Sequence, residues 1–343
     1  MSLVEGLTRG VIEHVSPVRL GDAVGQVRLV YEQAEREFAL APPLTVHSVD
    51  SQLLAAVWAA TREALIVGPH RPVKEAIAAS VSVINACPFC VDIHSMMIPE
   101  DATTVAIQAR APERIEDART AGAVRFALGT MEPAKAADLA KTIDAADLAA
   151  FAGTAVLFHY LNRVVNVFMR DSSPLAAAGF LRRPVRALAA ATVGRSVTGV
   201  AASPGASLAL LESQSPNGIP WLDAHPAIGP ALAALFRAAQ HSLKGLASPG
   251  TVTQLTQHFS DWHGEPAPMG RSWLAEATRG IPGDELPVAR LALLAGRSAY
   301  AVTEEDIASA RSIHGRDVEL VRMVAWGAGA ASRRVADWIG GTP

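Results

Sequence analysis

The chain has 343 residues, half of them apolar, with a net charge of −3 and an isoelectric point near 6.4. That length suits two domains of ordinary size. No basic stripe suggests a nucleic-acid partner, and no uninterrupted apolar run approaches the ~18 residues of a membrane span, so neither is expected.

From the start, Met1 to Leu20 spreads Glu5, Arg9, Glu13 and Arg19 among apolar residues. A secretion leader would place its positive charges ahead of an apolar run, so a cytoplasmic protein is expected. Farther on, Leu53, Val57, Ala60 and Ala64 repeat at helical spacing. Aromatics are 5% of the chain and alternating β-branched runs are scarce, so the sequence predicts an all-α fold.

The next segment carries the chemistry. Val73, Ile77, Val81 and Ile84 make the apolar face of one helix, with Glu75 and the small residues Ala79, Ser82 and Ala86 opposite. Pro88 suits the first position of a second helix, which puts Cys87 near its N-cap and Cys90 in its first turn. Unpaired amides and the dipole favour an anion at a helix start, so a thiol there is expected to ionise more readily. Cys87, Cys90 and His94 fall on one helix face. If the helices fold back as a hairpin, Glu75 lies roughly 15–18 Å before the turn and His94 roughly 10 Å after it. The carboxylate then reaches the imidazole directly or through a water, giving a proton relay toward the sulfurs.

Beyond this segment, His159, Asn162 and Arg163 place polar groups in the apolar helix Leu157 to Phe168, read as an interhelix hydrogen-bond cluster. The stretch from Asp171 to Pro226 is rich in Pro, Ser and Gly and reads as a linker with short helices. Trp262-His263-Gly264-Glu265-Pro266 reads as a structural turn.

A shift of 215 positions lays Trp58 on Trp273, Gly68 on Gly283 and Pro72-Val73 on Pro287-Val288. A shift of 171 brings Asn162-Arg163-Val164 onto Arg333-Arg334-Val335, so the first copy carries about 44 extra residues between Met97 and Ala146. Glu75, Cys87, Cys90 and His94 meet Arg290, Val302, Glu305 and Ser309. The expected division is 1–175 with the cysteines, 176–225 as linker, and 226–343 as a degenerate copy.

The only two cysteines form one close pair, which points to redox or metal chemistry rather than a disulfide framework. Zinc needs four ligands and three are at hand, so no metal is expected, and no cofactor either. Two buried structural thiols are the bland alternative. The spacing Glu-x11-Cys-x2-Cys-x3-His resembles the signature of alkylhydroperoxidase D, in the carboxymuconolactone decarboxylase-like superfamily, and the layout resembles its two-domain bacterial members. The resemblance implies that Cys90 attacks a hydroperoxide and becomes a sulfenic acid, that Cys87 resolves it as a disulfide, and that an external dithiol restores both. Glu75 and His94 would carry protons. Relatives form symmetric helical oligomers, so at least a dimer is expected, with the duplication replacing one such interface. Known members have histidine just before the second cysteine, where this chain has Phe89. Thiol–disulfide exchange with a protein or lipoyl dithiol is the runner-up, and a non-redox scaffold or decarboxylase-like protein the third reading.

Overall fold

The computed structural model describes residues 10–99, 101–169, 202–213 and 219–341. The N-terminal segment before Gly10 and most of the expected linker lie outside the described residues. Of the linker, a 3-10 turn at Ala206–Leu210 and a short helix at Pro220–Asp223 are described.

Helix starts follow local chemistry. After α1 (Gly25–Glu37), α2 (Ser51–Thr61) is opened by Asp50, whose side chain accepts the Leu53 N–H at 3.1 Å. It widens into a π-helical turn, Arg62–Ile66. Prolines sit in the first turn of α3 (Arg71–Ile84) and α4 (Pro88–Met96), where a missing N–H costs nothing. Then come α5 (Asp101–Gln108), α6 (Ala118–Gly129), α7 (Pro133–Ala140) and α8 (Ala145–Phe168). The second half holds α9 (Ile228–His241), α10 (Pro249–Ser260), α11 (Ser272–Ala277), α12 (Leu286–Ser298), α13 (Glu304–Ile313) and α14 (Asp317–Ile339). A capping box of Thr303 and Asp306 opens α13. The protein is all-α: among the described residues there is no strand, only an isolated bridge between Lys244 and Ala247.

The halves share one apolar core that runs from Val15 to Ile339. At its centre α8 packs on α3, α9 and α14. By length and composition α8 is apolar enough to cross a membrane, but 83% of that stretch is buried inside the fold. Two polar bonds tie it to the second half. Ser332 Oγ donates to the Val156 carbonyl at 2.6 Å, and Arg163 Nε to that of Gly296 at 2.8 Å. Helices α12 and α14 approach so closely at Gly327 that a Cβ there would lie 1.9 Å from the Ala292 oxygen. The loop after α10 closes on itself, with Trp262 buried and its indole N–H donated to the Glu265 carbonyl at 2.9 Å.

Helix positions obey the shifts seen in the sequence. Moving by 215 carries α3 and α4 onto α12 and α13, and moving by 171 carries α8 onto α14. Helices α5 to α7 occupy the stretch that the second half lacks.

Candidate active site

The site is built on the α3–α4 hairpin. Helix α3 ends at Asn85, and Ala86 takes the left-handed region (φ 50°) to reverse the chain. The Cys87 N–H closes the turn on the Ser82 carbonyl at 2.9 Å, and Pro88 starts α4 at once. This reversal brings the facing turns of α3 and α4 together. His94 Nδ1 lies 2.5 Å from Glu75 Oε2, so the two residues meet directly. A carboxylate only accepts, so the hydrogen is on Nδ1 and the other ring nitrogen is left to exchange protons. The ring is fixed by the edge of Phe158, with centroids 4.5 Å apart.

Sequence reasoning missed Arg71. Its Nε donates to Glu75 Oε1 at 2.6 Å, so the carboxylate is shared between a guanidinium and the imidazole. The signal was present, since residues four apart on a helix face each other. Burial by itself pushes the Glu75 carboxyl up, but the charges of Arg71 and His94 and their hydrogen bonds outweigh it and hold it at about 2. Glu75 is therefore a permanent anion at neutral pH.

Both thiols are free and buried, at 1% exposure for Cys87 and 3% for Cys90. Here the structure departs from the helix-start argument for Cys87. Desolvation pushes its thiol well above the ordinary range, and the neighbouring Cys90 sulfur pushes it further. The Cys90 amide and the Asn162 side chain pull the other way and are outweighed. Cys87 is thus held in its thiol form. Phe89 is buried in the core, which explains an apolar residue where relatives are expected to carry histidine.

Behind the sulfurs, α8 supplies a buried polar network. Asn162 donates to Ser82 Oγ at 2.9 Å and accepts from the Asn85 amide at 3.1 Å. Asn166 donates to the Asn85 carbonyl at 2.9 Å, and Arg163 reaches Asn85 Oδ1 at 3.2 Å. His159 completes it between Asn85 and Thr130, held far below its usual pKa by burial and by the charge of Arg163. The residues flanking the cysteine turn are therefore clamped from one side. Among the described residues, the one cluster with metal-ligand spacing is Glu13, His14 and Glu304, which contains neither cysteine.

Against known proteins, the chain is 36% identical over 337 residues to alkyl hydroperoxide reductase Rv2159c of Mycobacterium tuberculosis, covering 96% of this chain and 95% of the relative. The chain belongs to that alkyl hydroperoxide reductase family. No family model matches the chain, and no solved structure matches it.

Proposed function

We propose that the chain is a thiol-dependent peroxidase that reduces organic hydroperoxides through Cys90 and Cys87. The observation that carries this reading is the 2.5 Å contact of His94 with Glu75, which fixes an imidazole one helical turn beyond Cys90. The relative's name points to the same reaction class. The Cys90 thiolate attacks one oxygen of ROOH, the O–O bond breaks, and Cys90 becomes a sulfenic acid. The departing alkoxide takes a proton from the His94 side and leaves as ROH. Cys87 then attacks the Cys90 sulfur, water leaves, and a disulfide forms. An external dithiol returns both sulfurs to thiols.

The raised Cys87 thiol supports this order, because a protonated sulfur is the poorer first nucleophile and waits for the sulfenic acid. Burial of both sulfurs favours a small oxidant over direct docking of a protein dithiol. The same reading takes the second half as a degenerate copy of the first and the working molecule as a homo-oligomer. Thiols are counted before and after one equivalent of cumene hydroperoxide, and oxidised Cys90 is sought by mass spectrometry in Cys87→Ser. Loss of two thiols in the wild type and a trapped sulfenic acid on Cys90 are expected. A folded protein that keeps both thiols free defeats the proposal.

A further inference from the structure

The Glu75 carboxylate serves two partners, one on each oxygen. Arg71 donates from Nε to Oε1 at 2.6 Å and brings Nη2 to 2.5 Å from the same oxygen, as an ion contact rather than a hydrogen bond. Oε2 is left to His94 Nδ1. The end torsion of a glutamate is soft, so a carboxylate with a single partner turns easily. Partners on both oxygens fix its plane. Arg71 is placed for this by the chain itself, in the first turn of α3 and four positions before Glu75. Its guanidinium rests over the Phe38 ring, 5.6 Å from the centroid.

As a piece of scaffold Arg71 is poorly served. Nη1 and Nη2 are both buried, and among the described residues neither makes a hydrogen bond. Buried donors without acceptors weaken a fold, and an apolar side chain of similar length would avoid that cost. The bond that the guanidinium does make goes to Glu75. Among the described residues no cation besides Arg71 and His94 bonds that carboxylate. Lys74 turns to the Val67 carbonyl at 2.6 Å. On the elements packed against α3, Glu63 pairs with Arg62, Arg119 with Asp147, and Arg163 bonds Asn85 and the Gly296 carbonyl. Asp92 and Asp101 are likewise engaged, and Arg125 is exposed.

We infer that Arg71 is a positioning residue: it orients the Glu75 carboxylate, keeps it an anion, and through it fixes His94 with the hydrogen on Nδ1. Its part in peroxide reduction rests on the thiol-peroxidase reading, whereas its hold on Glu75 does not. Burial alone favours the neutral acid at Glu75. Without Arg71 only His94 opposes that, so the carboxyl moves from about 2 toward or above the ordinary 4.5. A neutral Glu75 no longer presents a fixed anion to the imidazole, and the relay is lost as the pH falls.

Two measurements on the full-length protein test this. Urea unfolding at pH 7 and pH 3 gives the stability lost on Glu75→Gln, in the wild-type and in the Arg71→Met background. In the wild type that gap shrinks as pH falls, because the folded-state value lies below the unfolded one. In Arg71→Met the dependence is expected to flatten or reverse. Consumption of cumene hydroperoxide is then followed from pH 7 to pH 4, and the ratio of variant to wild-type rate cancels the pH dependence that both share. The ratio is expected to fall at least about tenfold over this range for Arg71→Met, and less for Arg71→Lys, which keeps the charge. Circular dichroism checks folding, and Arg71→Gln carries both measurements if Arg71→Met does not fold. The same pH dependence of the gap in both backgrounds overturns the inference, whatever the peroxide result. So does a rate ratio that stays flat with pH. A folded wild type that consumes no peroxide defeats the peroxidase reading instead, and the unfolding measurement alone then decides for or against Arg71.

Discussion

Replacing Glu75 by glutamine keeps the shape of the site and removes its charge. The residue is 1% exposed, so solvent screening is slight, and two hydrogen-bond partners, Arg71 and His94, depend on it. Its carboxyl is held at about 2 against an ordinary 4.5, which corresponds to about 3 kcal/mol of preference for the anion in the folded state. A lowered folded-state pKa stabilises the protein above the unfolded value, and that stability is lost as the pH falls toward the folded one. The contribution should therefore be whole at pH 7, shrink to less than half by pH 3 and vanish below about 2. Urea unfolding of wild type and Glu75→Gln, extrapolated to water at pH 7 and pH 3, measures it. The expected gap is about 3 kcal/mol at pH 7 and roughly half of that or less at pH 3. A gap below about 1 kcal/mol at pH 7, or one equal at both pH values, would refute the view that a buried carboxylate holds Arg71 and His94 together.

Three other substitutions probe the scaffold. Arg163→Ala strips donors from the Gly296 and His159 carbonyls and from Asn85 Oδ1, and is expected to cost about 3 kcal/mol in urea melts. Gly327→Ala drives a methyl into the Ala292 oxygen and is expected to lower stability by about 3 kcal/mol or more, read as a fall in Tm. Lys74 is wholly buried and its ammonium is pushed down to about 7, chiefly by burial. The unfolded chain takes up this proton near 10.5 and the folded one only near 7, so Lys74 weakens the fold increasingly as pH falls between them. Lys74→Met is expected to stabilise the protein by about 2 kcal/mol at pH 6, net of the lost bond to the Val67 carbonyl, and to lose that advantage by pH 10. Denaturant curves at both pH values check the sign.

The helical hairpin was legible because its evidence is local. Proline at a helix start and apolar residues at helical spacing set α3 and α4, and the spacing across the turn put Glu75 within reach of His94. What failed was any inference that needed burial. A helix start favours a thiolate, but at Cys87 the desolvation of a nearly sealed sulfur is the larger effect, and no spacing reports it. Nothing in the local pattern around Lys74 and Glu75 reports burial, yet both are buried. The grip of Asn162 and Asn166 on the cysteine turn depends on which face of α8 meets α3, a fact of packing rather than of the one-dimensional pattern.

That packing gives the second half a hold on the cysteine turn even though it has no cysteines of its own. Helix α8 carries Asn162 and Asn166 toward Ser82 and Asn85, on the approach to Cys87, and Arg163 toward both Asn85 and the Gly296 carbonyl of α12. The guanidinium therefore spans the two halves while steering the turn that ends in the first sulfur. A buried charge with this many partners tolerates little displacement, because any partner withdrawn leaves an unsatisfied polar group in an apolar interior. Ser332 on α14 bonds α8 a second time, through the Val156 carbonyl. Helix α8, bonded to α3 through Asn162 and Asn166 and to the second half through Arg163 and Ser332, couples the cysteine turn to residues more than two hundred positions away.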